Sequence, residues 1–174
     1  MTKVLVIDDN PDIRDLLEDN LSEAGFEVFT ARDGDEGVQL FKKLRPKVVV
    51  TDITMPKKDG LEVIIDIRYD HPDTIIIAIS GNYDSSQVLK AAKVFKEREE
   101  DDPEYFLDAA VELGADFILE KPFTPQELLD TISELMEKRK NREIENEDEG
   151  PKDKFEEINP PSLDRIKKSE RRDK

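Results

Sequence analysis

The sequence predicts an α/β fold, a doubly wound sheet of five parallel strands with helices on both faces. The first observation is that apolar strand-like runs alternate with helical patterns through the first 80 residues, which is typical of parallel strands joined by right-handed crossover helices. The second is that the strand segments, such as residues 48–50 and 75–77, are continuous apolar runs, as in strands buried on both faces.

Each element follows from local signals. We predict strands at residues 3–7, 26–31, 48–52, 74–80 and 117–120. Asn10 is a good N-cap and Pro11 is tolerated at the first helical position, so a helix begins there. We expect this helix to bury one face, formed by Ile13, Leu16, Leu17 and Leu21. The second helix follows Asp33 and ends at Pro46, and the third runs from Gly60 until His71-Pro72 breaks it.

The connection between the fourth and fifth strands is longer than the roughly 20 residues that one crossover helix needs. We therefore predict two helices there: an extra helix in the enlarged segment 84–104, and a second helix that ends at Gly114. After the fifth strand, Thr124 and Glu127 form a capping-box pattern that begins the last helix. We predict a folded domain of residues 1–138 and a charged tail, residues 139–174, that is a helical extension followed by a mobile segment.

Composition excludes several classes of function. The chain has a net charge of −16 and 40% charged residues, which argues against electrostatic binding to nucleic acid. It has no cysteine and one histidine, so thiolate and multi-histidine metal sites are excluded. No segment is long and apolar enough for membrane insertion, and no signal peptide is visible. We therefore expect a cytoplasmic protein.

Polar residues stand where the predicted strands end: Asp8 and Asp9 after the first, Asp52 on the third, Ser80 on the fourth and Lys121 after the fifth. Parallel strands bring their carboxyl ends to one edge, where ligands bind. Carboxylates gathered there need a cation, and Mg²⁺ prefers such hard oxygen ligands. An anionic phosphoryl group at Asp52 would meet the cation, the lysine and the serine hydroxyl, so we predict that Asp52 accepts a phosphoryl group.

These residues occur in order within motifs, and the sequence resembles the receiver domain of two-component response regulators, of the stand-alone, chemotaxis type. The matching motifs are Asp8-Asp9, Asp52-Ile53-Thr54-Met55-Pro56 with Gly60, Ser80-Gly81, Gly114-Ala115-Asp116 and Lys121-Pro122-Phe123. The resemblance covers about residues 1–138. It implies a flavodoxin-like fold with strand order 2-1-3-4-5.

The resemblance also implies roles for the site residues. Asp52 would accept a phosphoryl group from a histidine kinase or phosphotransfer protein. Mg²⁺ would be held by Asp8, Asp9, Asp52 and the backbone carbonyl of Thr54. Ser80 and Lys121 would bind the phosphoryl group, and Gly81 would leave room for it. The Lys121–Pro122 peptide bond is expected to be cis.

Two departures from the family pattern concern signal output. Ile118 stands where relatives carry a switch aromatic, and the extra helix falls on the usual output face. We expect a phosphorylation-controlled surface for a downstream protein target, or a relay of the phosphoryl group. The alternative is a phosphorylation-independent protein-interaction module. An enzyme acting on other substrates is not expected, because the receiver pattern already accounts for each acid that a hydrolase would need.

Overall fold

The computed structural model describes residues 1–81 and 110–148. Its elements are β1 (Lys3–Ile7), α1 (Pro11–Glu23), β2 (Glu27–Ala31), α2 (Gly34–Leu44), β3 (Val48–Asp52), α3 (Gly60–Asp70), β4 (Ile75–Ser80), β5 (Phe117–Glu120) and α4 (Pro125–Asp148). Residues 110–112 are helical and turn at Gly114, which has a φ of +112°. The predicted extra helix in segment 84–104 lies outside the described residues, as do residues 149–174 of the predicted tail.

Within these described ranges, the strands form one parallel sheet in the order β2-β1-β3-β4-β5. The prediction of a doubly wound sheet in this order is confirmed. Asp52 is in register with Ile79, and Ser80 is in register with Glu120. The carboxyl ends of β3, β4 and β5 therefore meet at one edge of the sheet.

The core lies in two layers, one on each face of the sheet. Leu5 and Ile7 of β1 face the layer that α2 and α3 cover, whereas Val4 and Val6 face the layer that α1 and α4 cover. This alternation follows from the two-residue period of side chains along a strand. Because both faces are covered, the strands need apolar residues at consecutive positions.

The prediction that Leu16 is buried is wrong. Leu17 and Leu21 of α1 are buried and Ile13 packs against them, but Leu16 is 51% exposed. Residues four apart share a helix face, whereas adjacent residues are about 100° apart. The face of α1 toward the sheet is narrow, so Leu16 falls beside it.

The residues predicted to begin α1 and α4 form the expected capping hydrogen bonds. Asn10 accepts a hydrogen bond from the Asp12 amide at 2.9 Å, with Pro11 at the first helical position. At α4, the amide of Thr124 donates to Glu127 Oε2 at 2.7 Å, and the Glu127 amide donates back to Thr124 Oγ1 at 3.3 Å. The Thr124 hydrogen bonds also hold the pKa of Glu127 below its ordinary value.

Met1–Lys140 forms one compact unit. The predicted division into a domain of residues 1–138 and an extension of residues 139–174 stays a prediction. In the two described ranges, no helix has both the length and the apolar character that crossing a membrane requires.

Candidate functional site

Three carboxylates converge at the carboxyl edge of the sheet. Asp8 follows β1 directly and is fully buried, and Asp52 ends β3 with 4% of its surface exposed. Asp9, the next residue after Asp8, is exposed. One carboxylate oxygen from each residue lies within 4.8 Å of those of the other two. The fold thus brings together the acids that the sequence analysis selected.

The turn after β1 holds Asp8 by its backbone and its side chain. The amide of Asn10 donates to Asp8 Oδ1 at 2.8 Å, and the Asp8 amide donates to the Ala31 carbonyl at 3.2 Å. Arg14, from the first turns of α1, donates to the Asp8 carbonyl oxygen at 2.7 Å. Arg14 was not predicted as a site residue, because a single arginine in an amphipathic helix gives no sequence signal of this contact.

Asp52 is fixed by the loop that follows it. The amide of Thr54 donates to Asp52 Oδ1 at 2.8 Å, and the Thr54 hydroxyl lies 3.2 Å from the same oxygen. A Cβ at Gly60 would lie 2.1 Å from the Asp52 carbonyl oxygen, so only glycine allows α3 to begin there. The resemblance assigns only the backbone carbonyl of Thr54 to metal binding and does not predict the contact of its side chain with Asp52.

Lys121 bridges two of the carboxylates. Its Nζ is 2.5 Å from Asp52 Oδ2 and 3.2 Å from Asp8 Oδ2. The Lys121 amide donates to the Ser80 carbonyl at 2.6 Å, which anchors the residue to the end of β4. The Lys121–Pro122 bond is cis, as expected from the resemblance.

Ser80 and Gly81 complete the edge. Ser80 is the last residue of β4 and is 3% exposed. A Cβ on Gly81 would lie 3.5 Å from Lys121 Cδ, so Gly81 is beside the lysine side chain. All of the predicted site residues therefore lie on the strand ends and loops of one edge.

Charge at the site is unbalanced. Burial raises the pKa of Asp8, and the negative charge of Asp52 adds to this, although the Asn10 amide and Lys121 lower it in part. Burial lowers the pKa of Lys121, but the hydrogen bond and charge of Asp52, with those of Asp8, outweigh it and leave the pKa raised. A protonated lysine among three carboxylates leaves negative charge in excess.

The donor set fits a divalent cation of the Mg²⁺ type. Such ions take carboxylate oxygens as ligands and keep some positions for water or substrate oxygens. Asp8 and Asp52 supply buried oxygens, and exposed Asp9 lies toward solvent. Burial is the main cause of the raised pKa of Asp8, and a cation here would offset the charge of Asp52 that adds to it.

Comparison with known proteins identifies the family. Residues 4–96 match the family model of the response regulator receiver domain. The chain belongs to this family. Its fold is the flavodoxin-like receiver fold of two-component systems, whose members accept phosphoryl groups and typically bind Mg²⁺ at an acidic pocket.

Curated relatives include two proteins named probable transcriptional regulator ycf27. The one from Porphyridium aerugineum is 37% identical over 126 residues, which are 72% of this chain and 44% of the relative. The one from Guillardia theta is 39% identical over 126 residues, which are 72% of this chain and 42% of the relative. The chain thus spans less than half the length of these two relatives.

The similar solved structures include one whose chain is matched almost entirely and one whose chain is matched only in part. Chemotaxis protein CheY4 of Vibrio cholerae is 30% identical with a TM-score of 0.62, covering 78% of this chain and 98% of that one. NtrX of Brucella abortus is 29% identical with a TM-score of 0.64, covering 83% of this chain and 30% of that one. The receiver-like part of the chain therefore has counterparts both as nearly whole chains and as parts of longer ones.

Proposed function

We propose that this receiver domain accepts a phosphoryl group on Asp52 in an Mg²⁺-dependent reaction. The observation that carries the proposal is the position of the Asp52 carboxylate, 2.5 Å from the Lys121 ammonium and within 4.8 Å of the Asp8 and Asp9 carboxylates. A carboxylate and an incoming phosphoryl group are both negatively charged, so their repulsion must be offset by positive charge. This arrangement offers both a lysine and a cation site.

The donor is a phosphohistidine of a histidine kinase or phosphotransfer protein. An Asp52 carboxylate oxygen attacks phosphorus, the new O–P bond forms as the P–N bond breaks, and the departing imidazole keeps the electron pair. Thr54 holds Asp52 Oδ1 through its amide and hydroxyl, which orients the carboxylate. Lys121 and Ser80 then bind the phosphoryl group at the edge of the sheet.

Mg²⁺ would be held by Asp8, Asp9, Asp52 and the backbone carbonyl of Thr54. Its positive charge would stabilise the negative charge on the oxygens of the transferring group. Gly81, beside Lys121, leaves space for the phosphoryl group. The protein acts in signalling by presenting a changed surface to a downstream protein target or by passing the phosphoryl group on. Apart from its own phosphorylation and dephosphorylation, no catalysis is proposed, and its location is proposed to be the cytoplasm.

The direct test is incubation with Mg²⁺ and acetyl phosphate, followed by intact-mass analysis. We expect one added phosphoryl group that is lost at alkaline pH and is absent when EDTA replaces Mg²⁺. Asp52→Asn should abolish the adduct. Asp12→Asn, which removes an exposed carboxylate near the start of α1, is the matched control and should be phosphorylated normally. An adduct that persists in Asp52→Asn contradicts the proposal.

A second candidate is a protein-interaction module whose binding does not depend on phosphorylation. Ile118 favours it, since this half-buried residue packs against the core beside Ala78 and offers no aromatic ring to rotate. Partner capture from lysate, with and without beryllofluoride, separates the two. Equal capture by wild type and Asp52→Asn supports the module, and capture that requires beryllofluoride and Asp52 eliminates it.

A further inference from the structure

The loop between β3 and α3, residues 53–59, carries Thr54 and is here called the acceptor loop. We infer that the ion pair between Asp33 and Lys57 positions the acceptor loop for Mg²⁺ binding and phosphoryl transfer at Asp52. Asp33 and Lys57 are thus positioning residues that act through Thr54. The inference rests on the proposed function, because it assigns these residues a role in that site.

The pair connects the acceptor loop to the start of α2. Lys57 Nζ lies 2.8 Å from Asp33 Oδ2, while Asp33 Oδ1 accepts a hydrogen bond from the Glu36 amide at 2.9 Å. Both oxygens of Asp33 are therefore engaged, and its side chain is only 10% exposed. Since the helix cap fixes Asp33, Lys57 is bound to a rigid point rather than to a mobile surface carboxylate.

The backbone of Lys57 is in a conformation that needs support. Its φ is +68°, in the left-handed region that residues other than glycine rarely adopt. Nothing in a lysine side chain favours this conformation locally. The contact with Asp33 supplies a reason for lysine at a position where glycine would be free of strain.

Close backbone packing encloses the acceptor loop on both sides. A Cβ on Gly34, the first residue of α2, would lie 2.4 Å from the Lys58 carbonyl oxygen. At the other end, a Cβ on Gly60 would lie 2.1 Å from the carbonyl oxygen of Asp52, the last residue of β3. The acceptor loop therefore lies between the start of α2 and the end of β3, and displacement from one would alter its fit against the other.

The same region reaches both acidic strand ends. On one side, the start of α2 contacts the acceptor loop, which carries Thr54, and the amide and hydroxyl of Thr54 hold Asp52. Through β2, the Ala31 carbonyl accepts the Asp8 amide at 3.2 Å, two residues before Asp33. Asp33 is thus placed to keep the Asp8 side and the Thr54 side of the proposed metal site in register.

A neighbouring ion pair offers a matched control. Lys58, also in the acceptor loop, has its Nζ 2.6 Å from Asp66 Oδ2. Asp66 belongs to α3, the helix into which the loop leads, so this pair does not connect the loop to α2. If any loop ion pair sufficed, Lys58→Gln and the loss of the Asp33 contact would have similar effects.

The experiment compares Lys57→Gly, Asp33→Asn, the double variant, Lys57→Arg and Lys58→Gln. Lys57→Gly removes the pair while it relieves the left-handed strain, and Asp33→Asn removes the charge but keeps a side chain that can cap α2. For each protein we measure stability by urea unfolding in EDTA, apparent Mg²⁺ affinity from the rise of Tm with Mg²⁺, and the rate of phosphorylation by acetyl phosphate.

We expect Lys57→Gly to be at least as stable as wild type, yet to bind Mg²⁺ about 5-fold more weakly, the lower end of typical coupling between sites. Asp33→Asn should show the same loss, the double variant no greater loss, and Lys57→Arg a partial recovery. Lys58→Gln should match wild type. A purely structural role for the pair predicts instead that Mg²⁺ affinity changes only when stability falls.

Failure of the inference and failure of the proposed function give different results. If wild type is phosphorylated but both single variants bind Mg²⁺ like wild type, the inference is wrong and the proposed function stands. If wild type binds Mg²⁺ but is never phosphorylated, the proposed function fails while the affinity series still tests the pair. Equal weakening in Lys58→Gln, or no response of wild-type Tm to Mg²⁺, also overturns the inference.

Discussion

Asp8 is a carboxylate that the fold buries completely beside a second one. Hydrogen bonds to Ala31 and Arg14 hold its backbone, and one from the Asn10 amide holds its side chain beside Asp52. Burial and the charge of Asp52 raise the pKa of Asp8, which means that its ionised form lowers the stability of the metal-free protein. This destabilisation is the expected cost of a preformed cation site.

Asp8→Asn should therefore stabilise the metal-free protein near neutral pH. A gain of about 1 kcal/mol would raise Tm by roughly 3 °C in a chain of this size. The measurement is thermal unfolding in EDTA and in Mg²⁺, where wild type should gain stability from Mg²⁺ and the variant should gain little. Asp12→Asn, the exposed control, should show no increase in EDTA. A lower Tm for Asp8→Asn in EDTA would contradict this account.

For Asp33, ionisation has the opposite effect on stability. Its hydrogen bond from Lys57, with that from the Glu36 amide, holds its pKa below the ordinary value of 3.8. The resulting stability is present above the unfolded-state pKa and is lost as pH falls through the lower folded-state pKa. Asp33→Asn should cost less than about 1 kcal/mol at neutral pH, because the Lys57 side chain is 66% exposed and water screens the pair.

Urea unfolding from pH 7 down to pH 3 checks the Asp33 prediction. The difference between wild type and Asp33→Asn should shrink only below about pH 4, where the unfolded carboxyl binds a proton. A difference that closes between pH 7 and pH 5 would show that another group is responsible.

At the opposite edge of the sheet, β4, β5, α3 and α4 are joined by one carboxylate. Asp116 Oδ2 accepts from the Ile76 amide and from Arg68, both at 2.8 Å, and its Oδ1 accepts from Arg139 at 2.9 Å. Both arginines also donate to the Thr74 carbonyl. This network attaches the middle of α4 to the sheet, whereas the capping box lies at the start of the helix.

Asp116→Ala should cost about 2 kcal/mol, because it leaves the Ile76 amide without its acceptor and removes the carboxylate partner of two partly buried guanidinium groups. Asp130→Ala, which removes an α4 carboxylate that accepts from Gln126 on the exposed surface, should cost much less. Urea unfolding gives both values. Equal costs for the two variants would show that the network adds nothing to the packing of α4.

The complete chain carries a net charge of −16, and three of its carboxylates share the proposed cation site. Two effects of added salt must therefore be separated. Any salt screens the general repulsion, whereas a bound cation stabilises the folded state by mass action at one site.

MgCl₂ should raise Tm more than NaCl does at matched ionic strength, and the excess should saturate with Mg²⁺ concentration. Asp8→Asn should lose the excess but keep the response to NaCl. Calorimetry of both proteins in both salts makes the comparison. Superimposable curves for the two salts in wild type would argue for screening alone.

Much of the fold could be predicted from short-range signals. The continuous apolar runs that became β1 and β3, the N-cap at Asn10 and the capping box at Thr124 all depend on residues close together in the chain. The candidate site could be predicted for a related reason. Parallel strands must place their carboxyl ends on one edge, so acids that follow strands are brought together by topology.

The remaining features depend on how separate elements pack against one another. The hydrogen bond from Arg14 to the Asp8 carbonyl and the pairing of Lys57 with Asp33 carry no motif signal. The exposure of Leu16 depends on how narrow a face α1 turns toward the sheet. The sequence alone thus identifies the strands, their shared edge and the acids on it. Only the packed structure establishes which charges touch, since contact distances follow from the mutual placement of helices, loops and sheet.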